Sequence, residues 1–272
     1  MNAPIIWSNE APSAMDILGQ SVEYCCYGPS PEQATVIVLL HEGLGCVALW
    51  RDFPQRLSEL TGCGVFVYSR LGYGQSDAAT LPRPLNYMTL EAVDTLPVIL
   101  DKLNADKVIL MGHSDGASIA AIYAGSVADH RVRALILMAP HFFVEPISLK
   151  AIKAAKVAYE TADLRGRLSP YHLHVDNAFF GWADAWLHSG FADWDITENI
   201  DYIRIPVLAI QGRQDQYGTL AQIEIVQERC YAPVEAATLE QCQHSPHIEQ
   251  PQQVLEHVDE FVQRLIQIDH AR

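Results

Sequence analysis

The sequence has few positive charges. Eighteen lysines and arginines stand against 33 aspartates and glutamates, for a formal net charge of −15 over 272 residues. A surface this acidic repels nucleic-acid phosphates and anionic lipid headgroups. The nearest approach to a basic stripe, Lys150, Lys153 and Lys156, has helical spacing and is interpreted as a solvated helix face. We therefore expect a small-molecule substrate and neither a nucleic-acid nor a membrane partner.

The chain also lacks long apolar runs. No stretch of eighteen or more apolar residues occurs, and the first residues do not combine a basic region with an apolar segment, as a secretion signal does. The six cysteines include no C-x-x-C pair and so predict reduced, mostly buried thiols. These absences predict a cytoplasmic protein, either a monomer or a homodimer.

Motifs for a cofactor or a metal are incomplete. Gly72-Tyr73-Gly74 begins like a dinucleotide-binding fingerprint, but Asp77 stands where the third glycine is required. His41-Glu42 lacks the second histidine of the zinc motif H-E-x-x-H, and His172 and His174 have no ligands nearby in the sequence. We therefore expect neither a cofactor nor a metal.

Short β-branched runs alternate with longer helical patterns along the chain. This alternation is typical of a mostly parallel sheet with helices on both faces. Strands are predicted at 36–40, 65–68, 108–111, 134–138, 207–210 and 236–239, with an antiparallel start near 20–27. Helices are predicted at 49–60, 90–103, 114–127, 220–230 and 252–268. The predicted fold is α/β, with a twisted sheet of about eight strands.

One connection is too long for this scheme. Roughly 65 residues separate the strand ending near Ala139 from the strand starting near Val207, whereas a crossover needs a dozen or more. The segment holds five of the eight phenylalanines and three of the five tryptophans, a density suited to roofing an apolar cavity. We predict a core domain of residues 1–140 and 202–272 and a helical cap, or lid, over 141–201, inserted after the sixth strand. About half of the eight rings should face the cavity.

The pentapeptide Gly112-His113-Ser114-Asp115-Gly116 joins a predicted strand to a predicted helix. Glycines are needed at both ends because a strained turn leaves no room for neighbouring Cβ atoms. A serine hydroxyl needs a base to act as a nucleophile, and the base needs an acid to orient it. Asp215 and His244 each follow a predicted strand, at the sheet edge where ligand chemistry gathers. The order Ser, Asp, His is the one expected for a G-x-S-x-G hydrolase.

With these motifs the chain resembles the α/β-hydrolase superfamily, specifically its lid-bearing esterases, lactonases and carbon–carbon bond hydrolases. The resemblance extends from about residue 20 to 268 and includes five motifs in the family's order. They are LLHEGLG at 39–45 with Trp50, SRLGYGQSD at 69–77, the serine pentapeptide, GRQD at 212–215 and HSPHIEQP at 244–251.

By this resemblance Ser114 is the nucleophile, His244 the base and Asp215 the acid. Two alternatives remain open, since His247 could replace His244 and Glu145, after the sixth strand, could replace Asp215.

The backbone N–H groups of Asp115 and Gly43 would form the oxyanion hole, with Leu44 as the alternative to Gly43. Glu42 departs from the family pattern, which usually has glycine after the histidine. A carboxylate pointing inward would oppose the developing negative charge, so Glu42 is expected to point away or to pair with an arginine. A second hypothesis is that Glu42 and Asp115 bias the pocket toward neutral or cationic substrates. His41 and His113 are interpreted as structural hydrogen-bonding residues.

The substrate pocket is predicted from cap aromatics and residues beside the catalytic motifs. These are Glu42, His113, Phe142, Phe143, Phe180, Trp182 and Trp186. The resulting hypothesis is a cofactor-free serine hydrolase that cleaves a small to medium, mostly apolar ester, thioester or lactone through an acyl-enzyme. A carbon–carbon bond hydrolase of the meta-cleavage-product type and a catalytically silent ligand-binding homologue are the alternatives. Dehalogenases and epoxide hydrolases of this shape use a carboxylate nucleophile, so Ser114 counts against them.

Overall fold

A computed structural model describes residues 5–9 and 11–270, so the first four residues, Glu10 and the last two, all within the predicted core domain, lie outside it. Eight strands form one sheet in this part of the chain. They are β1 (Ser13–Ile17), β2 (Gln20–Tyr27), β3 (Val36–Leu40), β4 (Gly64–Tyr68), β5 (Val108–His113), β6 (Val132–Met138), β7 (Val207–Gly212) and β8 (Val234–Leu239).

The strand order across the sheet is β1-β2-β4-β3-β5-β6-β7-β8. β1 and β2 form an antiparallel hairpin, β2 is antiparallel to β4, and every other neighbouring pair is parallel. The predicted fold class is therefore confirmed. β1 was not predicted; it pairs with β2 through Leu18 and Gly19, which both have positive φ, as a two-residue hairpin turn requires.

The helices are α1 (Phe53–Thr61), α2 (Tyr87–Leu90), α3 (Leu96–Leu103), α4 (Asp115–Ser126), α5 (Pro146–Thr161), α6 (Leu164–Leu168), α7 (Val175–Leu187), α8 (Thr197–Ile200), α9 (Ala221–Arg229), α10 (Pro246–Glu249) and α11 (Pro251–His270). Side chains of α1 and α11 pack on one face of the sheet. Those of α3, α4 and α9 pack on the other, in a core that continues into side chains of α5 and α7. None of the helices in the described ranges has both the length and the apolar character needed to span a membrane.

Strand β3 shows why this sheet is buried on both sides. Val36, Val38 and Leu40 belong to the core under α4, whereas Ile37 and Leu39 belong to the core under α1 and α11. Continuous apolar runs of this kind are typical of parallel strands covered on both faces. The carboxyl ends of β3, β5, β7 and β8 are thereby held at one edge, where the loops of the candidate site begin.

Two predicted helices are interrupted. The helix expected over 49–60 is a 3₁₀ turn (Val47–Trp50) followed by α1, and Arg51 between them has a φ of 55°. The helix expected over 90–103 contains a π-turn (Glu91–Thr95) just before α3. Pro97 lacks the N–H that would bond back to Val93, which explains the irregular turn at this point.

Helices α5 to α8 occupy the long connection between β6 and β7. α5 packs against α7, where the rings of Tyr159 and Phe179 stack with centroids 3.8 Å apart. The division of the chain at residues 141 and 201 stays a prediction. All six cysteines are free thiols, and only Cys230 among them is not fully buried.

Candidate active site

Ser114 lies at the sharp turn between β5 and α4, with φ 53° and ψ −119°. A Cβ added at Gly112 would lie 2.2 Å from the carbonyl oxygen of Gly116, and one added at Gly116 would lie 2.0 Å from that of Leu40. Both positions therefore require glycine for α4 to approach the sheet. The strained backbone of Ser114 is of the kind that accompanies functional sites.

Ser114, His244 and Asp215 form one hydrogen-bonded chain. Nε2 of His244 lies 2.9 Å from Oγ of Ser114, and its Nδ1 lies 2.9 Å and 2.8 Å from Oδ1 and Oδ2 of Asp215. An ionised carboxylate only accepts hydrogen bonds, so Nδ1 of His244 carries the proton. Nε2 then presents its lone pair to the Ser114 hydroxyl, which donates to it.

The loop after β7 holds Asp215 in place. The backbone N–H groups of Tyr217 and Gly218 donate to Oδ1 at 2.7 Å and 3.2 Å, and Nε2 of Gln211 donates to Oδ2 at 2.8 Å. Burial alone would raise the pKa of Asp215. The hydrogen bond and charge of His244 and the Tyr217 amide outweigh burial, so the pKa lies below its ordinary value. Asp215 is therefore ionised where it faces His244.

His247 and Glu145, the alternatives for the base and the acid, lie outside the hydrogen-bonded chain of Ser114. His247 packs between the rings of Trp50 and His113, at centroid distances of 4.6 Å and 4.9 Å. Burial lowers its pKa to about 3, and its Nδ1 has no hydrogen-bond partner in the described part of the chain. Glu145 accepts hydrogen bonds from the backbone and side chain of Thr219, at 3.0 Å and 2.6 Å, and from Gln222 at 2.8 Å. It thus ties the start of α5 to the loop after β7.

The two predicted oxyanion donors lie beside Ser114. Asp115 is the first residue of α4, so its N–H has no acceptor within the helix. Gly43 follows β3 and, like Leu44, lines the same cavity as Ser114. A Cβ on Gly43 would lie 2.2 Å from Nε1 of Trp182, so only glycine fits beneath this ring.

Arg70, which the sequence analysis did not single out, supports the loop that contains Gly43. Its guanidinium donates to the carbonyl oxygens of His41 and Glu42, the latter at 3.0 Å. Its backbone N–H donates to Nε2 of His41 at 3.0 Å, which leaves the proton on Nδ1, 2.7 Å from the Glu42 oxygen. Arg70 belongs to the SRLGYGQSD motif, which is the one feature of the sequence that could have drawn attention to it.

Glu42, which was expected to point away or to pair with an arginine, pairs with a histidine. Its carboxylate lies 3.5 Å from Nδ1 of His113, whereas Arg70 contacts only its backbone oxygen. Burial would raise the pKa of Glu42, but the neighbouring His113 outweighs burial and lowers it. Burial would likewise lower the pKa of His113, but Glu42 raises it.

A cavity of about 170 Å³ opens at Ser114. Its lining residues are Glu42, Gly43, Leu44, Ser114, Asp115, His141, Ser148, Ile152, Trp182, Trp186, Tyr217, His244 and Ser245. Three of the seven predicted pocket residues, Glu42, Trp182 and Trp186, are therefore in the lining.

The other predicted pocket residues lie outside the lining. His113 lies behind Ser114, Phe142 is fully buried in the core, and Phe143 pairs with Asp195 in an isolated bridge. Phe180 borders a separate groove, and its ring is 5.4 Å from that of Tyr159. Fewer cap rings than expected face the cavity because most of them pack on one another.

His141 is the most informative lining residue that the sequence analysis missed. It follows β6, as Asp215 follows β7, and this position is the only sequence feature that could have indicated it. Its ring lies 5.6 Å from the ring of His244, and burial lowers its pKa to about 3, so it is neutral. Ser118 fixes its backbone by donating to the His141 carbonyl oxygen at 2.6 Å.

Comparison with known proteins agrees with this architecture. A model described as the alpha/beta hydrolase family matches residues 37–257. Epoxide hydrolase 3 of Siraitia grosvenorii is 30% identical over 126 residues, which cover 46% of this chain and 38% of that protein. The (lyso)-N-acylphosphatidylethanolamine lipase of Bos taurus is 29% identical over 144 residues, which cover 52% of this chain and 41% of that protein. The chain thus matches less than half the length of these relatives.

The solved structure of the enol-lactonase from Burkholderia xenovorans LB400 is similar over nearly the whole chain. Its TM-score is 0.72 at 20% sequence identity, covering 92% of this chain and 100% of that one. At this level of identity the likeness establishes the fold.

Proposed function

The chain belongs to the alpha/beta hydrolase family, and we propose that it is a cofactor-free serine hydrolase acting on a small, mostly apolar ester, thioester or lactone. The observation that carries the proposal is the chain of hydrogen bonds from Ser114 through His244 to Asp215, at 2.9 Å and 2.8 Å, beside one cavity. The nucleophile position holds a serine, which argues against epoxide opening by a carboxylate.

In the acylation step Ser114 attacks the substrate carbonyl carbon as its proton passes to Nε2 of His244. The new C–O bond forms while the carbonyl π pair moves onto the oxygen, giving a tetrahedral oxyanion. Asp215 stabilises the imidazolium that results. When the intermediate collapses, the bond to the leaving group breaks and the imidazolium returns its proton to that group.

The oxyanion is held by the N–H groups of Asp115 and Gly43. The first lies at the start of α4, where the helix dipole also favours negative charge. Losing one such donor typically costs about 3 kcal/mol of transition-state stabilisation.

Water completes the reaction. Its proton goes to Nε2 of His244 as its oxygen attacks the acyl carbon, and collapse of the second intermediate returns that proton to Ser114 and releases the acid. The enzyme is regenerated without a cofactor, and an acyl-enzyme burst is the kinetic signature.

The size and the lining of the cavity suit small, uncharged acyl groups. Its volume of about 170 Å³ corresponds to roughly six waters at about 30 Å³ each. Ile152, Trp182 and Trp186 supply apolar surface, and the described residues that line the cavity include no lysine or arginine. An anionic dienoate, the substrate of the alternative carbon–carbon hydrolase, therefore fits this cavity less well than an uncharged ester does.

The test is hydrolysis of p-nitrophenyl esters from acetate to palmitate by wild type and Ser114→Ala. We expect turnover that depends on Ser114 and peaks at a short acyl chain, because long chains exceed the cavity. Ser189→Ala, an exposed serine remote from the cavity, is the matched control and should keep wild-type rates.

Turnover that survives in Ser114→Ala would refute the proposal. Absence of wild-type turnover at every acyl length would favour the carbon–carbon hydrolase or the silent binder. A coloured dienoate substrate and a ligand screen would then separate those two.

A further inference from the structure

Three loops of the site meet at His113. This residue is the last of β5, just before Ser114, and its Nδ1 is 3.5 Å from the Glu42 carboxylate in the oxyanion loop. Its Nε2 is 2.7 Å from the backbone oxygen of His244. The oxyanion loop, the nucleophile turn and the loop of the catalytic base are therefore connected through one imidazole.

The acceptors around His113 determine its protonation. A carbonyl oxygen only accepts, so Nε2 must carry a proton to bond the His244 oxygen. Nδ1 makes no hydrogen bond within the described part of the chain, so it either carries a second proton or sets a lone pair 3.5 Å from the Glu42 carboxylate. The second arrangement sets two electron-rich groups against each other in a buried site, where such contacts are costly. The geometry therefore favours an imidazolium paired with a carboxylate.

The other titratable groups facing His113 agree with this assignment. His244 and His247 approach its ring at 5.1 Å and 4.9 Å, and the electrostatic effects of Asp215 and His141 also reach this cluster. Burial keeps His141 and His247 neutral by lowering the pKa of each to about 3. Asp215 is negative and, with Glu42, favours the charged form of His113.

We propose that Glu42 and His113 form a buried ion pair that fixes the oxyanion loop and the His244 loop relative to Ser114. Both are positioning residues, since they act through Gly43 and through the backbone of His244. This inference rests on the proposed serine hydrolase function. Gly43, which follows Glu42 directly, supplies an N–H that is used chiefly in the transition state. Loss of the pair should therefore lower kcat and leave KM nearly unchanged.

The pair also predicts how activity depends on pH. Because folding raises the pKa of His113, the pair is intact below that pKa and is lost as pH rises through it. The wild-type profile should consequently fall at alkaline pH, and His113 is responsible for that fall.

Glu42→Gln and His113→Gln test this assignment with the same ester. Each should lower kcat about tenfold, because small misplacements of catalytic groups have effects of this order or larger. Each should also lose the alkaline fall. His113→Gln retains an N–H donor for the His244 oxygen, but its side chain does not titrate. Glu59→Gln removes an exposed carboxylate on α1 and should keep the alkaline fall.

Nitrogen-15 NMR of histidine gives a readout independent of turnover. At neutral pH both nitrogens of His113 should carry protons in wild type, and only Nε2 in Glu42→Gln. A neutral His113 in wild type would overturn the inference, as would an alkaline fall that persists in both variants. If Ser114→Ala retained wild-type turnover, the proposed function would fail first, and the NMR result would still decide whether the ion pair exists.

Discussion

The indole nitrogen of Trp186 lies 3.3 Å from Oδ1 of Asp115 and donates to it. The hydroxyl of Tyr87 donates to the other carboxylate oxygen at 2.5 Å. Burial raises the pKa of Asp115, while the charge of Arg70 and these hydrogen bonds oppose the rise. One carboxylate thus links α7, α2 and the start of α4, while the backbone of the same residue faces the site.

Replacing the Asp115 side chain should therefore destabilise the fold. Asp115→Ala leaves two buried donors without their acceptor, and unsatisfied groups of this kind cost about 1–3 kcal/mol each. Because the Tyr87 hydroxyl is 3.1 Å from the Trp186 nitrogen and can accept from it, we expect a net loss of about 2 kcal/mol in urea unfolding. Asp106→Ala, at an exposed position, should change stability little. Equal losses in both variants would contradict this account.

The role of Asp215 predicts a selective loss of turnover. Asp215→Asn keeps the shape of the residue but stabilises the wrong tautomer of His244, and this change lowers kcat by about 10⁴ in a Ser-His-Asp protease. We expect a loss of the same order here, with a small change in KM. Glu145→Gln is the comparison, and it should retain kcat within about threefold because Glu145 binds Thr219 and Gln222 and not His244. A loss of kcat in Glu145→Gln as large as that in Asp215→Asn would contradict the assignment of Asp215 as the acid.

Gly43→Ala should impair catalysis without unfolding the protein. Its new Cβ would meet Trp182 at 2.2 Å, which displaces either the ring or the oxyanion loop. If the Gly43 N–H moves out of reach, kcat should fall about 10²–10³-fold. Gly166→Ala, at an exposed site in α6, should have wild-type kinetics. Wild-type rates in Gly43→Ala would contradict this prediction and show that the Trp182 ring, and not the oxyanion loop, moves away from the new Cβ.

The charge of the cavity predicts discrimination between esters of nearly equal size. The p-nitrophenyl ester of butyrate and the mono-p-nitrophenyl ester of succinate differ by a carboxylate that would lose hydration in a cavity without a lining arginine or lysine among the described residues. We expect kcat/KM to be at least about tenfold higher for butyrate, corresponding to about 1.4 kcal/mol. The ratio should be corrected by the spontaneous hydrolysis rates of the two esters. A preference for the succinate ester would contradict the hypothesis of a neutral or cationic substrate.

Thiol reactivity should be confined to one cysteine in the folded protein. Burial raises the pKa of Cys26 and Cys46 to about 12 and that of Cys242 to about 11, so these thiols are both inaccessible and protonated. Cys230 is partly exposed. A disulfide reagent should therefore modify about one thiol per chain before unfolding. Cys230→Ser should abolish this modification of the folded protein. Modification that remains in this variant before unfolding would show that a buried thiol is accessible.

The sequence contained enough to predict how the parallel sheet and the nucleophile turn are built. Apolar runs such as that of β3 require burial on both faces, and the glycines at 112 and 116 are required by the approach of α4 to the sheet. These features follow from local patterns of two to five residues, which periodicity and turn chemistry reveal.

The partners of polar side chains could not be predicted in the same way. Glu42 and His113 are 71 positions apart by their numbers, and only the fold brings them to 3.5 Å. The sequence predicted that Glu42 points away or pairs with an arginine, but Arg70 binds the Glu42 backbone and the carboxylate contacts His113. The cavity lining was missed for a related reason, since an aromatic cap residue packs as well on another ring as over a substrate.

The hydrogen bonds between Glu145 and Thr219 limit how freely pieces of this protein can be exchanged. Thr219 ends the turn whose amides hold Asp215, so the segment from 141 to 201 is fastened to the loop that holds Asp215 beside His244. A chimera that received this segment from another hydrolase would have to bring a hydrogen-bond acceptor to the position of Glu145, or redesign the turn at 215–219 with it. The segment from 141 to 201 and the Asp215 loop are therefore best exchanged together.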